Sequence, residues 1–380
     1  MDRISQFPID IEKSTIEEKK KFFLEHTINH PMLHRAYLKV QEKVNDAPNG
    51  KVFLVFGPTG VGKSTLCKRM KNDLILKHLS NDDRNNSVIP VVSLELPSPD
   101  NGKFNWKDLY KRMLKEIREP LIENKVDKNQ HGRKKKIPNY YPTTSPELRE
   151  SLENAITHRK TKIVLLDEAQ HLLKVSGAKS IIDQMDTIKS IANLTGSNFI
   201  MFGTYELLDF LDLNGQLGRR TDEVHLQRYD IRIPSERNEF KSVVNTFQNL
   251  LPFLEESVLL TYWELLYERT IGSTGILKEW LDRCVIDALN SNHKNITYEH
   301  LVKHAPTPRK ALKIAQEIIA GEEKLQEQEE IQTLLRATVG LDSVDLPTEN
   351  GVEEKRKKNQ RDVGKRNPTR DEVGIRETGT

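Results

Sequence analysis

Four short apolar runs stand out along an otherwise polar chain, at residues 52–56, 89–94, 163–166 and 199–202. Runs of this length, rich in Val, Ile, Leu and Phe, are the pattern of strands buried on both faces. The stretches between them space their apolar residues helically. Residues 1–50 do so through Phe22, Phe23, Leu24, Met32, Leu33, Tyr37 and Leu38. A helix is expected through Cys67 and Leu74, another over 104–123 and another near 178–194. Thr144, Ser145, Pro146 and Glu147 form a helix start, with a hydroxyl cap, an early proline and a glutamate three residues after the cap. That helix carries Leu148, Leu152 and Ile156 on one face. Strand and helix in alternation predict an α/β fold, a parallel sheet covered by helices. From about Ser235 onward the pattern is helical only. The expected organisation is a helical extension over 1–50, an α/β core over 51–235 and a helical region over 236–341.

Composition changes the picture at the C-terminus. Residues 342–380 hold nine acids, nine bases, six aliphatic residues and no aromatic one. Such a segment buries too little apolar surface to offset its ordering entropy, so a disordered tail is expected. The net charge of +3 says little about partners, because local charge cancels. Residues 125–136 carry a net +5 and residues 317–330 a net −5. No apolar run approaches the ~18 residues of a membrane span. The first 14 residues have early acids and no apolar core, unlike a secretory leader. The two cysteines, Cys67 and Cys284, lack metal-type spacing and suit a reducing, cytoplasmic compartment.

The strongest chemical signal is Gly57, Pro58, Thr59, Gly60, Val61, Gly62, Lys63, Ser64 and Thr65. It follows an apolar run and opens a helical pattern, the context a phosphate-binding loop requires. Its glycines let backbone N–H groups curl around phosphate, aided by the helix dipole. Lys63 is expected to reach the β- and γ-phosphates of ATP, and the Ser64 hydroxyl to ligate Mg²⁺. The second signal is the run 163–166 ending in Asp167 and Glu168, followed by Ala169, Gln170 and His171. Carboxylates at a strand's C-terminal edge sit where ligands of open α/β sheets bind. Asp167 suits the Mg²⁺ shell, and Glu168 suits polarising the attacking water.

Weaker signals follow. The run 199–202 leads into Gly203 and Thr204, which either meets the γ-phosphate or attacking water, or caps the strand. Arg219 and Arg220 follow Gln216 and Leu217 in what reads as a loop after the fourth strand. An arginine there either enters a neighbouring subunit's nucleotide site or lies on the surface. Lys278, after Gly272, Ser273, Thr274 and Gly275, either touches the γ-phosphate from the helical region or is solvated. The basic loop holds Arg133, Lys134, Lys135 and Lys136 beside Tyr140 and Tyr141, a DNA-contact or a solvated pattern.

Together these motifs resemble an AAA+ ATPase with a helical lid. The order Asp-Glu-Ala-Gln-His, Phe-Gly-Thr, then Gln216-Leu217 with Arg220 resembles the TnsC/TniB group of transposon-encoded ATPases, relatives of MuB, over roughly residues 20–320. The resemblance implies ATP-dependent homo-oligomers, rings or filaments, on double-stranded DNA. It implies partners in a transposase and a target-selection protein, in a bacterial cell, with hydrolysis disassembling the assembly. It implies Arg220 as the arginine acting in a neighbour's site, and DNA contacts between the two nucleotide motifs. The matching stretch offers Lys103, Lys107, Lys111, the 133–136 cluster, Thr143 and Thr144. A helicase loader or a secretion-type ATPase acting on a protein partner also fits the motifs, as does a nucleotide-gated switch with negligible turnover.

Overall fold

The computed structural model describes residues 14–80, 87–99, 104–120, 122, 144–174, 178–212, 221–253, 255 and 259–341. The chain forms two units: the first runs to Leu325, and of the second, from Gln326, only the end of the last helix is described. The expected basic loop and charged tail lie outside the described residues.

Two helices come first, α1 (Ile16–Glu25) and α2 (Pro31–Asp46). Thr15 and Glu18 close the start of α1 reciprocally, the Thr15 N–H donating to Glu18 Oε2 at 2.7 Å. Next come β1 (Val52–Phe56), α3 (Lys63–Leu79), β2 (Val91–Glu95), α4 (Trp106–Glu116) and α5 (Ser145–His158). The Thr144 N–H donates to Glu147 Oε2 at 2.8 Å, so the expected start of α5 forms. β3 (Ile163–Asp167), α6 (Ala178–Thr195), β4 (Asn198–Gly203), the single turn α7 (Asp209–Asp212) and β5 (Thr221–His225) complete the sheet region. Then α8 (Pro234–Leu250), α9 (Trp263–Thr270), α10 (Thr274–Asn290), α11 (Tyr298–His304) and α12 (Pro308–Thr338) follow, with no further strand among the described residues.

The five strands lie parallel in the order β2-β3-β4-β1-β5. Every residue of β1, β3 and β4 is buried, as expected of strands covered on both faces. Alternation then sends neighbours to opposite layers. Val52, Leu54, Phe56, Val164, Leu166, Phe199 and Met201 pack with α4, α5 and α6. Phe53, Val55, Ile163, Leu165, Ile200 and Phe202 pack against α2 and α3. Each of these side chains contributes about 1.5–3 kcal/mol on burial.

The fifth strand was not expected from the sequence, which showed four apolar runs; the loop read at 216–220 lies outside the described residues. Thr221–His225 is an edge strand in which only Thr221 and Val224 are buried, so it shows no apolar run. A third cluster gathers α8 to α11 around the fully buried Trp280. Phe23, Met32 and Tyr229 join it, so α1 and the start of α2 pack into the helical region. Among the described residues no helix is long and apolar enough to cross a membrane.

Candidate nucleotide site

Parallel strands with in-register pairing bring several loops to one sheet edge. Phe56 at the end of β1 pairs with Gly203 on one side and with His225 on the other. The loop 57–62 therefore leaves an interior strand of the sheet, between β4 and β5. Gly62 takes φ +108° and caps α3, a left-handed geometry that side chains resist. Gly60 has φ +76°, and a Cβ there would lie 2.5 Å from Ile276 of α10. The loop thus accepts the helical region at close range. Val61 is buried, and Ser64 is exposed at the first turn of α3.

Lys63 is buried, and its ammonium donates to the carbonyls of Gly57 at 2.9 Å and Pro58 at 2.7 Å. Burial pushes its pKa down to about 8, with Glu168 and then Asp167 acting the other way. The two carboxylates at the end of β3 therefore lie within electrostatic reach of the loop lysine. Asp167 is buried, and its Oδ1 accepts from the Glu168 N–H at 2.9 Å. Glu168 takes φ +55°, an uncommon left-handed geometry for a residue with a side chain.

Thr204 follows β4, and its buried hydroxyl has no hydrogen-bond partner among the described residues. Its backbone N–H donates to Gln170 Oε1 at 3.3 Å, and Gln170 Nε2 donates to Glu168 Oε2. His171 bonds Ser98, beyond β2, through Nε2 at 3.3 Å. The segment 167–171 thus reaches the ends of both strands that flank β3. Sequence reasoning quoted Gln170 and His171 but gave them no task.

Ser64 and Asp167 offer hard oxygen donors, which suit Mg²⁺. Among the described residues no group of three or more His, Cys, Asp or Glu side chains forms a metal cage. Phosphate oxygens and water would complete such a shell, the usual arrangement for Mg²⁺ with nucleotides.

Lys278, expected either at the γ-phosphate or in solvent, lies on α10 and has protein partners. Its ammonium bonds Asp282, donates to the Leu24 carbonyl at 3.4 Å and sits 4.7 Å from the Phe23 ring centroid. These partners tie α10 to α1. Lys107 and Lys111 lie on α4, half-buried, and Thr144 is exposed at the start of α5. Lys103, Arg133, Lys134, Lys135, Lys136, Thr143, Arg219 and Arg220 lie outside the described residues.

A second polar cluster was not foreseen. His30 is buried, its Nδ1 3.0 Å from Tyr229 Oη and its Nε2 3.1 Å from Thr274 Oγ1. It links the start of α2 to the first residue of α10.

Residues 48–211 match the family model of the AAA domain. No curated protein matches the sequence. The fold is similar to the Aeropyrum pernix ORC2 protein, solved as ADPNP–ADP complexes, with TM-score 0.50 and 12% identity over 74% of this chain and 70% of that one. It is also similar to Cdc6p of Pyrobaculum aerophilum, with TM-score 0.49 and 13% identity over 75% of this chain and 70% of that one. Domain III of the Thermotoga maritima replication initiation protein DnaA gives TM-score 0.43 and 14% identity over 75% of this chain and 95% of that one. The glycine loop, the paired strand-end carboxylates and the first four strands of the parallel sheet all fall within the segment 48–211 that matches the AAA domain, a P-loop ATPase domain.

Proposed function

We propose that this protein is an Mg²⁺-dependent ATPase that regulates DNA transposition. It assembles with ATP on double-stranded DNA, links a target-selection protein to the transposase, and disassembles on hydrolysis. The observation that carries the ATPase reading is the convergence of Lys63, Asp167 and Glu168 at one sheet edge, with Lys63 and Asp167 buried and both carboxylates acting on the lysine's charge. The transposition reading rests on the resemblance carried by residues 167–171, 202–204 and 216–220.

Each residue has a definite task in this reading. The loop 57–62 and the start of α3 hold the phosphates through backbone N–H groups. Lys63 exchanges its bonds to the Gly57 and Pro58 carbonyls for phosphate oxygens. Ser64 and Asp167 hold Mg²⁺, which neutralises developing phosphate charge when bound. Glu168 orients the attacking water, and Thr204 offers its unpartnered hydroxyl to the γ-phosphate or that water. Arg220, with Arg219 beside it, completes the site of an adjacent subunit and stabilises charge on the transferred group. Lys103, Lys107, Lys111, Thr143, Thr144 and the 133–136 cluster supply phosphate contacts to DNA, so binding is salt-sensitive and weak in sequence preference.

The test is steady-state ATPase activity of the full chain with and without random-sequence duplex. The reading predicts Mg²⁺-dependent turnover that duplex modulates. Turnover indifferent to duplex but raised by a protein partner favours a loader or secretion-type ATPase. Binding of ATP without turnover favours a switch.

A further inference from the structure

The side chain of Gln170 connects two strand ends that the backbone does not. Pairing between β3 and β4 runs from Ile163↔Asn198 to Leu166↔Met201. Beyond that, Gln170 spans the gap. Its Nε2 donates to Glu168 Oε2 and its Oε1 accepts from the Thr204 N–H at 3.3 Å. The side chain is buried, with 6% exposure. A Cβ at Gly203 would sit 2.7 Å from Gln170 Oε1, so the β4 end leaves room for this amide.

A carboxamide suits this position because it offers a donor and an acceptor at once. A carboxylate would repel Glu168, and an apolar chain would bond neither side. The Glu168 main chain is already held at φ +55° with its N–H on Asp167. What remains free is the rotamer of its carboxylate, and the Gln170 amide is the group that fixes it. The other end of the same amide reads the backbone beside the unpartnered Thr204 hydroxyl.

We propose that Gln170 is a positioning residue that sets the orientation of the Glu168 carboxylate and couples it to the Gly203–Thr204 backbone. The inference rests on the reading of Glu168 as the group that orients water. A displacement at the end of β4 is then passed to Glu168 through one side chain.

Two substitutions in the full chain test this. Gln170→Met keeps the volume and removes both bonds. Gln170→Glu keeps an acceptor for the Thr204 N–H and sets a like charge against Glu168. The measurements are kcat and KM for ATP, equilibrium binding of a fluorescent ATP analogue, and thermal melting. Gln170→Met should lower kcat at least tenfold and leave analogue affinity within twofold. Gln170→Glu should lower kcat at least as much. In a Glu168→Gln background, Gln170→Met should change the residual turnover less than twofold, because the two residues act as one unit. Should Gln170→Met lose its melting transition, Gln170→Glu carries the test. The inference is overturned if Gln170→Met turns over within twofold of wild type, or if analogue affinity falls along with kcat in a variant that still melts cooperatively; where Gln170→Met does not fold, the same two results in Gln170→Glu overturn it. A wild-type chain without turnover overturns the ATPase reading itself, and this inference with it.

Discussion

The backbone N–H of Gly275 donates to the carbonyl of Gly60 at 2.6 Å, so the first turn of α10 rests directly on the glycine loop. The contact is close from both sides. A Cβ on Gly275 would lie 2.5 Å from the Gly60 oxygen, and backbone cannot give way as a flexible side chain does. Any change in loop shape on binding phosphate is therefore felt by the helical region. Gly275→Ala should weaken nucleotide binding by roughly tenfold or more, consistent with ~1.4 kcal/mol or more of lost coupling. Equilibrium titration with an ATP analogue measures it. An unchanged affinity would show that the contact is incidental.

Lys63 separates stability from binding. Its ammonium is buried and satisfied by loop carbonyls, and burial already lowers its pKa to about 8. Removing the charge should cost the ligand-free fold little, while the phosphates lose their main cation. Lys63→Met should melt within a few degrees of wild type without nucleotide. It should lose the rise in melting temperature that ATP and Mg²⁺ give the wild type by linkage. A thermal-shift series with and without ATP decides this, and an equal ATP-dependent rise in the variant would contradict it.

Acid should loosen the junction between α2 and α10. His30 is held neutral between Tyr229 and Thr274, its pKa lowered from the ordinary 6.5 to about 4, chiefly by burial and then by Arg35, with Glu239 opposing. His225 is lowered to about 4 in the same way, by burial and then Lys39. The unfolded chain binds a proton at each histidine before the folded one does, so stability rises with pH across this interval. It is complete above about pH 6.5 and is lost as pH falls toward about 4, by about 3 kcal/mol for His30. Denaturation curves between pH 7 and pH 4 should show this loss, and His30→Gln should flatten it. A pH-independent midpoint would contradict it.

Arg228 and Glu322 tie the first part of α12 back to the segment after β5. Arg228 Nε and Nη2 donate to the two Glu322 oxygens at 2.9 Å each, and Nη1 donates to Tyr267 Oη at 3.0 Å. The arginine side chain is 8% exposed, so losing the Glu322 carboxylate leaves a buried charge with only Asp230, at 3.9 Å, to balance it. Glu322→Ala should destabilise the fold by about 3 kcal/mol in chemical denaturation. Arg228→Lys should be costly too, because an ammonium lacks the planar fork. A loss under ~0.5 kcal/mol for Glu322→Ala would show the pair to be dispensable.

How much of this was legible in the sequence follows from where each partner lies. β1, β3 and β4 were readable as apolar runs because they are covered on both faces. β5 was not, because an edge strand keeps polar residues such as Asp222 and Glu223 on its half-exposed positions. The glycine loop and the Asp167–Glu168 pair were legible because their chemistry is contiguous in sequence. The partners of Lys278 were not legible because two of them, Phe23 and the Leu24 carbonyl, come from α1, more than 250 residues away. Gln170 was overlooked for a similar reason: the Thr204 N–H that gives its second bond meaning lies 34 residues on, just past the next strand.

Glu168→Gln separates ATP binding from hydrolysis, since the amide keeps the shape and removes the basic oxygen. It should bind ATP with affinity within a few-fold of wild type and lower kcat by about 10² to 10⁴. The most direct test of the central claim is co-sedimentation of this variant with random-sequence duplex DNA, with and without ATP. The account predicts that ATP brings the protein down with the duplex and that raised salt reverses it. Equal binding to duplex with and without ATP would contradict it.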